Sequence, residues 1–162
     1  LHKRKEFTIS EYFNELKVVP VAVSYEFDPN DINKAIECAK TNQGKDYIKS
    51  SNEDISSIAK GITDKKGDVS INVGSPLNFV SDDSDQISDQ ITKSIRNLYE
   101  PHSTNYAAYI KSKNEILDHS FSESKINESI NYLESRAMQL TKHEKEELYS
   151  QYYQCLIKKM GG

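Results

Sequence analysis

The sequence predicts an α/β fold, in which an incomplete parallel sheet is followed by a C-terminal helical region. Two observations lead to this prediction. Residues 18–25 are apolar without alternation, which is typical of a strand covered on both faces, as in a parallel sheet. More than forty residues with two helical patterns separate this strand from the alternating strand at 69–73. A connection of that length suits a parallel crossover better than a hairpin.

Helix-start signals mark the first two helices. Thr8 and Glu11 have the spacing of a capping box, which predicts a helix over residues 8–17. Asp28 is the predicted N-cap of the second helix, with Pro29 as its first residue, because proline loses no helical hydrogen bond there. The second helix and a short third helix are each expected to bury an apolar stripe, namely Ile32, Ala35, Ile36 and Ala39, and then Ile55, Ile58, Ala59 and Ile62.

Only helices are predicted in the second half of the chain. An amphipathic helix over residues 87–98 ends before Pro101, and a shorter helix follows it. Residues 123–159 form a predicted helical hairpin with a narrow apolar seam. We therefore divide the chain into the C-terminal part of an α/β domain at 1–80 and a helical region at 81–162.

Two strands do not make a stable parallel sheet by themselves. The apolar segment at 18–25 is nevertheless expected to have neighbouring strands on both sides. We therefore expect the remaining strands to lie N-terminal to Leu1, so that this chain is the back half of a larger domain and that front half is its partner.

Composition limits the classes of function. The 21 lysines and arginines and 25 aspartates and glutamates give a net charge of -4, which disfavours a nucleic-acid partner. The longest apolar run, residues 18–23, is too short to span a bilayer. Cys38 and Cys155 are too few for a disulfide framework or a zinc site, which favours the cytoplasm. The acidic residues at 82–85 lack the glycine and terminal glutamate of a calcium loop, so no metal site is predicted.

Three segments resemble motif regions of the glycerolipid acyltransferases and are similar to bacterial 1-acyl-glycerol-3-phosphate acyltransferase. Residues 19–29, VPVAVSYEFDP, resemble the fourth motif region of that family. Residues 67–77, GDVSINVGSPL, resemble the strand and Gly-x-Pro turn that follow it. The block at 87–109 resembles a Pro-Thr-Asn-Tyr-x-Ala-Tyr helical region, with two residues inserted after Pro101. Together the blocks cover about residues 18–110.

The resemblance implies transfer of a fatty acyl group to a glycerol-phosphate-type or lipid acceptor in phospholipid synthesis. The donor would be an acyl-CoA or acyl carrier protein thioester, and no further cofactor is implied. The family's catalytic element is a histidine followed five positions later by aspartate, in which imidazole takes the hydroxyl proton and the carboxylate orients the ring. The positions five residues after the four histidines hold Phe7, Ala107, Ser124 and Leu148. The chain therefore has no predicted catalytic residue and is expected to be inactive alone.

Val19, Pro20 and Val21 are the predicted substrate-binding residues. In the family the corresponding motif lines the acyl or acceptor pocket, whereas the alternative is that these residues are only sheet core. An enzyme acting on a lipid is expected to contact the inner face of the cytoplasmic membrane peripherally. The alternative function is a non-catalytic interaction module, in which the hairpin at 123–159 docks a partner and the α/β part is scaffold.

Overall fold

The computed structural model describes residues 7–160, which form two compact units. We call residues 7–24 and 70–100 the strand unit, and residues 25–69 and 101–160 the helical unit. Along the chain the described elements are α1 (Ile9–Leu16), β1 (Val21–Tyr25), α2 (Asp31–Asn42), α3 (Glu53–Thr63), β2 (Val69–Val73), α4 (Ser84–Leu98), α5 (Ser103–Lys113), α6 (Glu123–Ala137) and α7 (Lys142–Met160).

The strands β1 and β2 are antiparallel, so the predicted parallel-sheet fragment is wrong. The N–H of Glu26 donates to the carbonyl of Asp68, and the N–H of Gly74 donates to the carbonyl of Pro20, each over 2.9 Å. The residue numbers therefore run in opposite directions along the two strands. The prediction of a parallel crossover rests on the length of the connection between the strands. Length is weak evidence, however, because the entropic cost of closing a loop grows only slowly with its length. Two helices can thus be accommodated between the strands of an antiparallel pair.

The strand unit begins with the predicted capping box. The Thr8 side chain accepts from the N–H of Glu11, and the Glu11 carboxylate accepts from the N–H of Thr8, so this prediction is confirmed. Later in α1, the side-chain amide of Asn14 donates to the carbonyl of Phe79 over 2.8 Å and accepts from its N–H over 2.7 Å. The Phe79 ring is buried and lies edge-on to Phe13. These contacts fix α1 against the segment between β2 and α4.

The core of the helical unit lies among four of its helices. Helix α5 packs against both α6 and α7, and α7 also packs against α2. Leu133 and Leu148 are fully buried in this core, so the apolar residues of the two helices in the predicted hairpin face inward. The other members of the cluster include Ala35, Ala107, Ala108, Tyr109, Ala137, Tyr152, Tyr153 and Leu156.

Helix α2 begins two residues later than predicted. Its first residue is Asp31 and its N-cap is Asn30, whose side chain makes no capping hydrogen bond. The Asp28 carboxylate instead accepts from the N–H of Asn30 over 2.9 Å. Asp28 therefore closes a turn before the helix, a role that aspartate fills as readily as an N-cap.

Helix α3 exposes the apolar stripe that was expected to be buried. Ile55, Ile58 and Ile62 are 64–75% exposed, and α3 contains no buried residue. Periodicity shows that one face of a helix is apolar, but it does not supply a partner for that face. None of the helices in residues 7–160 is long and apolar enough to cross a bilayer.

Candidate functional site

One face of the strand pair is an uncovered apolar surface, which we call the valine face. In β1, Val21 and Val23 are 45% and 43% exposed, and in β2, Ile71 and Val73 are 64% and 65% exposed. The hydrogen bond from Gly74 to Pro20 sets a register that places Val21 opposite Val73 and Val23 opposite Ile71. These are non-hydrogen-bonded pairs, in which opposite side chains lie closest together. The four side chains therefore form one continuous patch.

The burial of β1 corrects a second expectation. The strand was predicted to be covered on both faces, whereas its burial alternates, with Ala22 and Ser24 buried and Val21 and Val23 exposed. Because five of the six residues at 18–23 are apolar, the sequence shows no alternation, although the strand has the ordinary alternation of side chains between its two faces. Alternating burial of this kind is typical of antiparallel sheets.

Of the three predicted substrate-binding residues, Val21 belongs to the valine face, and Val19 and Pro20 directly precede it in the chain. Val19 is 40% exposed and Val21 is 45% exposed, whereas Pro20 is buried. Val19 and Val21 have the same parity as Val23, so all three belong to one side of the extended chain. A ligand or another protein segment can therefore reach Val19 and Val21, while Pro20 supports the backbone between them. Their role in binding stays a prediction.

The position of Pro20 depends on a glycine in β2's C-terminal turn. A Cβ atom at Gly74 would lie 2.8 Å from Cγ of Pro20 and 3.0 Å from Cδ1 of Leu98. Both distances are shorter than ordinary van der Waals contact. Because Pro20 has no N–H, only its carbonyl takes part in the ladder, where it accepts from Gly74.

In the helical unit, a buried carboxylate anchors the start of α2. Asp31 is fully buried and accepts hydrogen bonds from the guanidinium of Arg136 and, over 3.0 Å, from the hydroxyl of Tyr152. The hydrogen bond to Asp31 raises the pKa of Arg136. Burial, together with the neighbouring Asp31 carboxylate, raises the pKa of Tyr152 far above its ordinary range. This arrangement joins α2, α6 and α7, and it leaves the carboxylate surrounded by donors rather than free to act as a base.

A second buried carboxylate, Glu26, follows β1. It accepts from Lys125 Nζ over 2.7 Å and from the N–H of Asp68 over 3.1 Å, and the Ser103 hydroxyl lies 3.4 Å away. Burial alone would raise the pKa of Glu26, but these donors outweigh it and hold the pKa below its ordinary value. The Thr104 hydroxyl also donates to the carbonyl of Glu26 over 2.6 Å. The chain leaving β1 is therefore tied to the N-terminus of α5.

Two of the segments that resemble acyltransferase motifs thus meet inside the helical unit. Glu26 belongs to the first block, and Ser103 and Thr104 belong to the third. The sequence reasoning missed the buried pairs of Glu26 with Lys125 and of Asp31 with Arg136. The burial of Glu26 could have been predicted, because Ala22, Ser24 and Glu26 occupy every second position and therefore lie on the same, buried side of the strand. Its partner, Lys125, is 99 residues away and has no local signature.

Two of the described histidines, His119 and His143, contact an aromatic ring and a glutamate carboxylate, respectively. His102 is buried at the N-terminus of α5, and the His119 ring packs against Tyr106 with centroids 5.2 Å apart. His143 is exposed, with Nδ1 3.3 Å from the Glu146 carboxylate one turn later. Within residues 7–160 there is no cluster of three or more histidine, cysteine or acidic side chains that could hold a metal ion.

Comparisons of the chain with protein-family models, with curated proteins and with solved structures gave no match. The resemblance to acyltransferases therefore rests on the three sequence blocks alone.

Proposed function

We propose that this chain is the C-terminal, non-catalytic portion of a glycerolipid acyltransferase. The enzyme would move a fatty acyl group from an acyl-CoA or acyl carrier protein thioester to a glycerol-phosphate-type acceptor. The observation that carries the proposal is the valine face, which begins at the Val19-Pro20-Val21 segment that resembles the fourth family motif. An exposed apolar patch on paired strands is typical of a surface that another protein segment or a ligand covers.

Covering the valine face would be energetically favourable, because it would remove apolar side chains from water. Fully burying a valine or isoleucine side chain contributes roughly 1.5–3 kcal/mol. Since the four central residues of the valine face are about half exposed, covering them would contribute on the order of 4 kcal/mol. The proposed cover is the part of the enzyme that bears the catalytic histidine and aspartate.

The chemistry of the face agrees with a role beside an acyl chain. The exposed side chains of Val19, Val21 and Val23 are purely aliphatic, as the wall of a hydrocarbon pocket must be. The imidazole that takes the acceptor's proton would come from outside this chain, whose four histidines all lack an aspartate five positions later. Because the acceptor is a lipid or its precursor, we place the enzyme in the cytoplasm, in peripheral contact with the inner face of the membrane.

The test is acyl transfer by the protein encoded by the whole reading frame that contains this chain. Transfer of labelled acyl-CoA to lysophosphatidate is the measurement. We expect a His-x-x-x-x-Asp element upstream of Leu1 and activity that is lost when its histidine is replaced by alanine. A reading frame without that element, or acyl transfer by these 162 residues alone, would contradict the proposal.

A matched pair of variants tests the valine face in the same assay. Val21→Asp places a charge on the face and is expected to lower acyl transfer at least about tenfold, because a charge must not be buried unpaired. Val80→Asp is the control, since Val80 is 89% exposed and lies outside both strands. Equal activity of the two variants would show that the valine face does not contribute to the active site.

A further inference from the structure

We propose that a lysine-lined pocket of the helical unit binds the phosphate group of a small phosphorylated molecule. The pocket is open, has a volume of about 460 Å³, and lies between the last turn of α5 and the first two turns of α7. We call it the lysine pocket, and its lining consists of Lys111, Ser112, Lys142, Lys145, Glu146 and Tyr149.

Helical spacing brings the donors of the lysine pocket together. Lys142, Lys145 and Tyr149 stand at positions i, i+3 and i+7 of α7, so they lie along one face of that helix. Lys111 approaches from α5. Three ammonium groups and a phenol hydroxyl, all capable of donating hydrogen bonds, therefore surround one volume.

Not all of this positive charge is neutralised within the protein. Lys111 Nζ lies 2.5 Å from the Glu134 carboxylate, and Lys142 Nζ lies 4.0 Å from that of Glu146. Lys145 forms no ion pair with any residue between 7 and 160, and the Tyr149 hydroxyl forms no hydrogen bond there. An excess of cations in one pocket of a chain whose net charge is -4 is an arrangement that an anion would stabilise.

The pocket walls are held in place by the core beneath them. Leu148, next to Tyr149, is fully buried, and Tyr109 packs edge-on to Tyr153 across α5 and α7 with ring centroids 6.0 Å apart. The ion pair with Glu134 of α6 also orients Lys111. The backbone that carries the pocket is therefore fixed, and Lys111 is already oriented before an anion binds, which favours affinity.

Phosphate fits this donor set better than a carboxylate or a nucleic acid does. A phosphate carries up to two charges on three free oxygens, so it can accept several hydrogen bonds from the donors that line this pocket, with each lysine acting as a point charge. The pocket holds three lysines in a chain whose net charge is -4, whereas a nucleic-acid partner requires an extended basic surface. This inference does not depend on the proposed function. Within that function, the phosphate would come from the glycerol-phosphate acceptor or from the nucleotide part of acyl-CoA.

The test is titration of pyrophosphate into the protein at constant ionic strength, followed by amide chemical shifts and calorimetry. We expect saturable shifts at Lys145 and Tyr149. Lys145→Gln should weaken binding about tenfold, the effect of one charge-assisted hydrogen bond. Tyr149→Phe removes only the hydroxyl and should weaken it about threefold. Lys158→Gln, an exposed lysine near the other end of α7, is the matched control and should change the affinity by less than about twofold.

Competition separates the two sources of phosphate. Displacement of pyrophosphate by glycerol 3-phosphate alone would identify the acceptor, and displacement by adenosine 3′,5′-bisphosphate alone would identify the acyl-CoA nucleotide. Displacement by both would support a general phosphate site. The proposal is overturned if pyrophosphate gives no saturable shift, if Lys158→Gln weakens binding as much as Lys145→Gln, or if neither compound competes. None of these results depends on acyl transfer, so failure here leaves the proposed function standing.

Discussion

The pyrrolidine ring of Pro20 occupies the space that a side chain at Gly74 would need, and the Pro20 carbonyl accepts the Gly74 N–H over 2.9 Å. These residues belong to the two separate sequence blocks that resemble the fourth acyltransferase motif and the Gly-x-Pro turn. Their contact sets the register in which Val21 faces Val73. One close approach therefore shapes the whole valine face.

We expect Gly74→Ala to destabilise the strand unit. The new Cβ would meet the rigid ring of Pro20 at 2.8 Å, and overpacking of this kind costs about 1–3 kcal/mol. The measurement is the free energy of unfolding in urea. Gly61→Ala is the control, because its Cβ would lie 3.8 Å from its nearest neighbour and alanine favours a helix interior by about 0.5–1 kcal/mol. A stable Gly74→Ala protein would mean that Pro20 and Gly74 are farther apart than described.

Asp31→Ala is expected to lower the free energy of unfolding by about 3 kcal/mol, because it leaves the Arg136 guanidinium without its buried partner. Urea denaturation again provides the measurement. Asp54→Ala removes a carboxylate from an exposed ion pair with Lys49 and should cost less than about 1 kcal/mol. Similar costs for the two variants would show that Asp31 does not act as a buried anchor.

Glu26 should make stability depend on pH in the acidic range. Its pKa is lower in the folded protein than its ordinary value of 4.5, because the donors around it outweigh the effect of burial. Glu26 thus stabilises the fold fully above that ordinary value, and this contribution is lost as the pH falls through the folded pKa.

Glu26→Gln should flatten the dependence of unfolding free energy on pH between about pH 5 and pH 3. The measurement is urea unfolding at several pH values. Glu144 also has a lowered pKa, owing to the Thr141 N–H, so a reduced slope remains in the variant. An unchanged slope would show that Glu26 has no preferred partner in the fold.

Replacing Ile71 and Val73 by threonine should leave the stability of the chain within about 0.5 kcal/mol, because exposed positions contribute little. The double variant should nevertheless self-associate less, since it removes much of the valine face. Light scattering and urea denaturation measure the two effects. A loss of more than about 1 kcal/mol would indicate that these side chains are already covered within the chain.

Several features could be predicted because they depend on neighbours in the sequence. The capping box of Thr8 and Glu11 needs only a spacing of three residues, and it forms as expected. The alternation at 69–73 likewise locates β2. The start of α2 was misplaced because Asp28 can close a turn as well as cap a helix, and only the fold selects between these local hydrogen bonds.

The sequence by itself determined local features such as the capping box of α1 and the position of β2, since their hydrogen bonds and periodicities span a few residues. Tertiary structure alone decided that β2 returns antiparallel to β1, that the stripe of α3 faces outward, and that Asp31 meets Arg136 across the core. These outcomes depend on contacts between residues tens of positions apart. Such contacts are decided by the total free energy of burial and hydrogen bonding in the whole fold. A local pattern of residues carries no information about that total.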